Sequence, residues 1–378
     1  MSKTKKKSKA VPVVLIIAIL LAAACVACFY ADDMITRQKD AVLAQQQREV
    51  DEFNRQQQDA YAVAIAEYER QTADTPNQAW PAAKSEGWDV LDLTNYPLEN
   101  PAYVTMARPE VMNNGILLVN QWHKRPDDFS ETELVSAGKY SGKTIQVTDY
   151  NVLLFPKAVD ALMAALADAK AQNLTHFMIS EGYRSFEEQN TLFQNKVSKL
   201  SSKYSGNALI EAAMKEVNYP GTSEFNSGLS FTLRLYDKND KSVGAGKYSQ
   251  TEQALWMNEN CWKYGIVFRF PLDGWPLESS TDKQFITGIS SQLNLYRYVG
   301  KAHAAVMHTL DLCLEEYIQY LRDHPHIAVF ENGQLRYEIV RQQVGLDASS
   351  FDVLVTTKTS NYVSCLDNMG GIVTAFQY

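Results

Sequence analysis

The side chains best suited to metal or acid–base chemistry are few and scattered. Six histidines, His123, His176, His303, His308, His324 and His326, are spread along 378 residues. His303 and His308 are five apart in a helix-like stretch, not the three or four residues that would stack them on one face. His324-Pro325-His326 reads as a solvated turn at a helix end rather than a ligand pair. Of the five cysteines, Cys25 and Cys28 sit in an apolar run and read as small hydrophobes. Cys261, Cys313 and Cys365 are too widely spaced for a metal knuckle or a disulfide framework, although one pair could bridge in an oxidising exterior. No Gly-x-Ser-x-Gly elbow occurs, and Cys261, in ENCWKYG, reads as a packed side chain rather than a nucleophile.

Three other segments carry more information: ISEGYRSFEEQ at 179–189, YPGTSEFNSGLSFTLRLYD at 219–237 and ITGISSQLNLYRYVG at 286–300. In order and spacing they resemble the signature blocks of the VanY-type D-alanyl-D-alanine carboxypeptidases, which read approximately SGYRSxxxQ, PGxSEHxxGxAxD and ITGIxxExWHYRYVG. Connecting pieces such as LLVNQ and LEEYIQYL agree as well, so the resemblance runs from Gly115 to about Arg322. It implies an α+β fold with a small antiparallel sheet packed with helices. It also implies hydrolysis of the terminal D-Ala-D-Ala bond of cell-wall peptides by zinc held by His, Asp and His, with a Glu as base. Such a set works because zinc with about three protein ligands lowers the pKa of a bound water to about 7, and a carboxylate then carries its proton to the leaving amine.

Carried over residue by residue, the ligand positions fall on Phe225, Thr232 and Leu295, and the base on Gln292. None of these side chains supplies a zinc ligand or a base of useful pKa. The resemblance therefore implies a degenerate member with no catalytic residues, no metal and no cofactor. Phe225 and Leu295 are expected to fill the metal hole with apolar contact. The recognition residues survive: Arg184, Ser185, Gln189 and Ser223 match the family's substrate-binding positions. A planar guanidinium suits bidentate pairing with a peptide carboxylate, but Arg184 could equally pair with an internal acid such as Glu224.

The elements that must position these residues follow from periodicity. GILLVNQW, HFMIS, SGLSFTLRLYD and GIVFRFP read as strands, and Phe155 to Ala171, Ser185 to Leu200 and Lys301 to Arg322 as helices. Strands and helices without regular βαβ alternation indicate α+β. Residues 323–378 read as a β-rich tail around an ENGQ turn. Ahead of the 115–322 domain, Pro76, Pro81, Pro97, Pro101 and Pro109 mark 73–114 as an extended linker. Residues 32–72 read as a helical stalk, whose glutamine-rich seam leaves weak self-association and packing back on the body both open.

At the start, five lysines within residues 1–9 precede an apolar run over 10–31. That length suits a transmembrane helix, and the charge puts the N-terminus in the cytoplasm and the body outside. Lipid attachment at Cys25 after cleavage, or ordinary cleavage, are the alternatives. Without those lysines, 31 basic residues face 44 acidic ones, which excludes a general nucleic-acid footprint. The expected protein is a single-pass, extracytoplasmic pseudoenzyme that binds peptidoglycan stem peptide or a cell-wall protein partner. An active carboxypeptidase and a structural or regulatory scaffold are the alternatives.

Overall fold

The computed structural model describes residues 79–289, 292–345 and 348–378, with isolated positions between 34 and 55. The expected transmembrane helix over 10–31 lies outside the described residues. Among the described residues no helix is long and apolar enough to cross a membrane. In the expected stalk, the described positions Met34, Arg37, Ala41, Ala44, Gln45, Arg48, Glu52 and Arg55 are helical. The chain divides into two units, one comprising residues 1–52 and 192–217 and the other 53–191 and 218–378. The second unit holds the two sheets described next.

Its first layer is a mixed five-stranded sheet in the order Gln146–Val147, Phe177–Glu181, Ser230–Leu235, Leu295–Tyr298, Ile266–Phe268. Only the first pair is parallel. The helix Pro156–Ala171 packs on one face of this sheet. Proline at its first position is preset for helical φ, and Asn173, at φ 63, stands in left-handed conformation just past its end. Val159, Leu162, Ala165 and Ala169 recur at helical spacing and pack in one cluster with Ile179, Phe231, Leu233 and Phe268. Burying a leucine such as Leu162 contributes about 1.5–3 kcal/mol.

The second layer is an antiparallel five-stranded sheet, Trp88–Asp92, His326–Glu331, Gln334–Gln343, Gly371–Gln377, Tyr362–Leu366. Helices Lys301–Leu310 and Leu314–Asp323 cover it, with Ala304, Val306, Tyr317 and Ile318 in one cluster with Ile327, Val329, Ile339 and Val373. The tail thus shares its core with the preceding helices.

Several local expectations differ from the structure. Trp88–Asp92, within the expected linker, pairs with His326–Glu331, and Pro101–Ala107 pairs with Ser350–Thr356. The prolines mark where these strands begin and end rather than an unpaired segment. The single helix expected over 301–322 is two helices, because Asp311 turns left-handed at φ 52 and the backbone N–H of Cys313 donates to Glu316 to start the next. GILLVNQW forms no regular strand. Arg297 donates to the Gly115 and Leu117 carbonyls and the Leu118 N–H to the Asp367 carbonyl, so its backbone is satisfied by a side chain and a loop instead of a ladder. His326 is buried rather than solvated, bridging the Tyr96 carbonyl at 2.7 Å and Glu338 at 2.8 Å. Cys261, Cys313 and Cys365 are all buried and unpaired.

Candidate functional site

The one-turn 3-10 helix Glu224–Ser227 and the strand Ser230–Leu235 carry Phe225 and Thr232, and the strand Leu295–Tyr298 with the loop before it carries Leu295 and Gln292. Between the 3-10 helix and Ser230–Leu235, Gly228 turns left-handed at φ 68, and a β-carbon there would stand 2.7 Å from the Phe155 ring, so only glycine fits. The turn leaves Phe225 in a buried apolar cluster with Phe270 and Leu295. Leu295 faces Thr232 in register across the two strands. The Thr232 hydroxyl lies 2.9 Å from that of Ser180. Gln292 lines a cavity of about 30 Å³ together with Asn218, Ser223, Glu224, Phe225 and Phe270.

Three substituted positions are therefore in contact or in register, and the fourth is at their edge. Their functional groups are a phenyl ring, an isobutyl group, a hydroxyl and a carboxamide. No imidazole, thiolate or carboxylate is among them, so these residues do not fit zinc. Among the described residues, no group of three His, Cys, Asp or Glu side chains could hold a metal ion.

The residues expected to recognise substrate are engaged from within the chain. Arg184 donates from one terminal nitrogen to Gln189 Oε1 at 2.6 Å and from the other to Glu181. Its guanidinium lies over the Phe225 ring, 4.6 Å from the centroid. Gln189 Nε2 donates to the Asn218 carbonyl at 2.6 Å. Ser185 caps the helix Phe186–Leu200: its Oγ accepts from the Glu188 N–H while its own N–H donates to Glu188. Ser223 donates its N–H to Asn226 Oδ1 at 3.1 Å, and Asn226 in turn donates to the Arg184 carbonyl at 2.6 Å. The internal acid on Arg184 is Glu181, where the family block carries serine; Glu224 is committed elsewhere.

Glu224 anchors a buried charge network. Its carboxylate accepts from Arg297, from Arg269 Nε at 2.7 Å and from the Ser230 hydroxyl at 2.6 Å. Arg269 makes a two-pronged pair with Glu315 at 2.7 and 2.9 Å, and Asn120 donates to Glu315 at 3.0 Å. Burial alone would raise the Glu224 pKa, but the guanidinium groups of Arg297 and Arg269 outweigh it and hold the carboxyl at about 2. Burial likewise disfavours charge on Arg269, and Glu315 and Glu224 more than compensate, raising its pKa. The sequence reading missed Arg269 and Glu315. An arginine inside the apolar run GIVFRFP was the available signal, because a buried charge must find a partner.

Comparison with known proteins agrees with this frame. Residues 151–282 match the sequence model of VanY, described as D-alanyl-D-alanine carboxypeptidase. A D-alanyl-D-alanine carboxypeptidase of Enterococcus faecium is 28% identical over 280 residues, covering 74% of this chain and 80% of the relative. The crystal structure of the vancomycin resistance D,D-dipeptidase VanXYg, with a D-Ala-D-Ala phosphinate analogue, superposes with a TM-score of 0.54 at 23% identity. That match covers 74% of this chain and 99% of the other, and shows the fold. A VanY D,D-pentapeptidase solved in complex with Zn(II) is 27% identical over 54% of this chain and 98% of its own, with a TM-score of 0.41.

The zinc in that VanY structure corrects one expectation. From the sequence alone the chain is expected to take no cofactor, whereas a VanY protein was solved with Zn(II) bound. Absence of a cofactor therefore does not follow from the four substitutions. What the structure establishes is narrower: the side chains at Phe225, Thr232, Gln292 and Leu295 are not a zinc donor set.

Proposed function

We propose that this chain, which carries a domain of the VanY D-alanyl-D-alanine carboxypeptidase family, binds peptidoglycan-type peptides without hydrolysing them. The observation that carries this reading is the shared buried cluster of Phe225, Phe270 and Leu295, which puts apolar side chains at two of the positions where the resemblance expects zinc ligands. The adjoining cavity, about 30 Å³, has room for about one water, whereas ligand sites commonly measure ~300–1,000 Å³. A peptide would therefore lie at the rim. There Arg184 is held by Glu181, whose side chain is 42% exposed, so the terminal carboxylate of a peptide can exchange with it on the guanidinium.

The similarity to a D-alanyl-D-alanine carboxypeptidase of Enterococcus faecium supports the peptide class. The five lysines ahead of an uncharged apolar run support tethering of the body outside a membrane, with self-association through the stalk as a further element. A second reading, a structural or regulatory scaffold, is favoured by the internal engagement of Arg184, Ser185, Gln189 and Ser223. Isothermal titration of the full-length chain with a pentapeptide ending in D-Ala-D-Ala, with released D-Ala assayed in parallel, separates these. Binding without release supports the proposal, release overturns it, and no binding replaces it with the scaffold.

A further inference from the structure

Two cavities in the second unit share no lining residue with the cavity at Phe225. They measure about 420 and 350 Å³ and share Lys301, Tyr337 and Gln377, so they adjoin. The floor of the larger is small and apolar, made by Val299, Gly300, Ala302 and Ala375. Aromatic rings line the walls: Tyr264, Tyr298, Tyr337 and Tyr362 in the larger cavity, and Trp88 and Tyr378 in the smaller. Most are half-buried, so part of each of these rings stays accessible to a ligand.

The polar groups complement this wall. The hydroxyls of Tyr298, Tyr337 and Tyr362 have no hydrogen-bond partner among the described residues. The side chains of Asn361 and Gln377 add amides at the rim. Lys157, Lys263, Lys301 and Arg336 place four cations around the two cavities against Asp160 and Glu331, and Glu331 is already paired with Arg336. Lys301, exposed and common to both cavities, makes no ion pair among the described residues. This excess of positive charge lies in a protein of net charge −8.

We propose that the two cavities form a single binding groove for an acidic oligosaccharide. Ring faces pack against the C–H faces of sugars, open tyrosine hydroxyls and amides meet sugar hydroxyls, and Lys301 and Lys157 meet carboxylates on the chain. The joined volume suits several sugar units rather than one small anion. The site is separate from the rim at Arg184, so it stands whether or not the chain binds peptides.

The test is isothermal titration of the full-length chain with tetragalacturonate, with chitotetraose as a neutral sugar and poly-glutamate as an acidic peptide. Tetragalacturonate should bind saturably, roughly tenfold tighter than chitotetraose, as expected for a charge-assisted contact. Lys301→Ala, at an exposed position that leaves the fold intact, should remove most of that preference, and Tyr337→Phe should weaken both sugars. Absence of saturable tetragalacturonate binding overturns the proposal, as does binding that neither substitution changes. Binding of poly-glutamate with tetragalacturonate inert also overturns it and assigns the groove to acidic peptides.

Discussion

The guanidinium of Arg184 lies 4.6 Å from the centre of the Phe225 ring, so the arginine proposed to meet a peptide carboxylate rests on the aromatic ring of the buried apolar cluster. Phe225 therefore has two structural roles, filling the space beside Leu295 and Phe270 and supporting Arg184 by a cation–π contact. Phe225→Ala should lower the free energy of unfolding by about 3–5 kcal/mol, as expected for a buried phenylalanine that leaves a cavity. Urea denaturation checks it. A change within a few tenths of a kcal/mol would mean that the ring packs nothing.

Glu181 competes with any ligand for Arg184. Glu181→Gln removes the internal carboxylate while keeping its shape. The affinity for a peptide ending in a free carboxylate should then rise roughly tenfold, because the binding-competent arginine is no longer occupied. The same peptide with an amidated end should show no gain. Equal gains for both would place the effect away from Arg184.

Much of this arrangement was legible in the sequence, and the reasons for the rest are local. The strand at Phe177–Glu181 and the helix at Pro156–Ala171 were readable because each carries its own periodicity and punctuation. The spacing of the blocks gave the expectation that Phe225 and Leu295 pack together, and the structure has them in one apolar cluster. The role of Glu181 was not readable, since an ion pair three residues along depends on the irregular segment that joins the strand ending at Glu181 to the helix starting at Phe186. Nor were the strands at Trp88–Asp92 and Pro101–Ala107, whose partners lie more than 200 positions away in sequence. The same non-locality hid the pair between Arg269 and Glu315.

The Glu224 network gives the stability a defined pH dependence. The Glu224 carboxyl is held at about 2 in the folded state, below its ordinary value of 4.5, so the folded state binds that proton less readily than the unfolded one. Its contribution is fully present above about pH 4.5 and is lost as pH falls towards 2. Burial holds His303 at about 4, and burial, partly offset by Glu315, does the same for His123. Their neutral forms favour the fold above their ordinary value of 6.5, and that contribution declines from there down to about pH 4. Thermal melting should therefore show stability falling in two overlapping steps below pH 6.5. Glu224→Gln should cost about 3–5 kcal/mol near neutral pH, since it leaves Arg297 and Arg269 without their shared carboxylate, and should shrink the lower step, to which Glu315, whose carboxyl burial raises but Arg269 holds below its ordinary value, also contributes.

Restoring donors tests the geometry of the centre. The combined variant Phe225→His, Thr232→Asp, Gln292→Glu and Leu295→His places three zinc ligands at positions that the register and the apolar cluster bring together, and a base beside the adjoining small cavity. It should gain about one equivalent of tightly held zinc relative to the parent chain, read by metal analysis after dialysis. No gain in a folded variant would mean that the backbone at these positions has left metal-binding geometry.

The most direct measurement is a titration of the full-length chain with a pentapeptide ending in D-Ala-D-Ala, with zinc present and free D-Ala assayed throughout. The predicted result is saturable binding, strengthened by Glu181→Gln, with no D-Ala released. Release of D-Ala by the parent chain, abolished when the metal is chelated, would contradict the account at its centre.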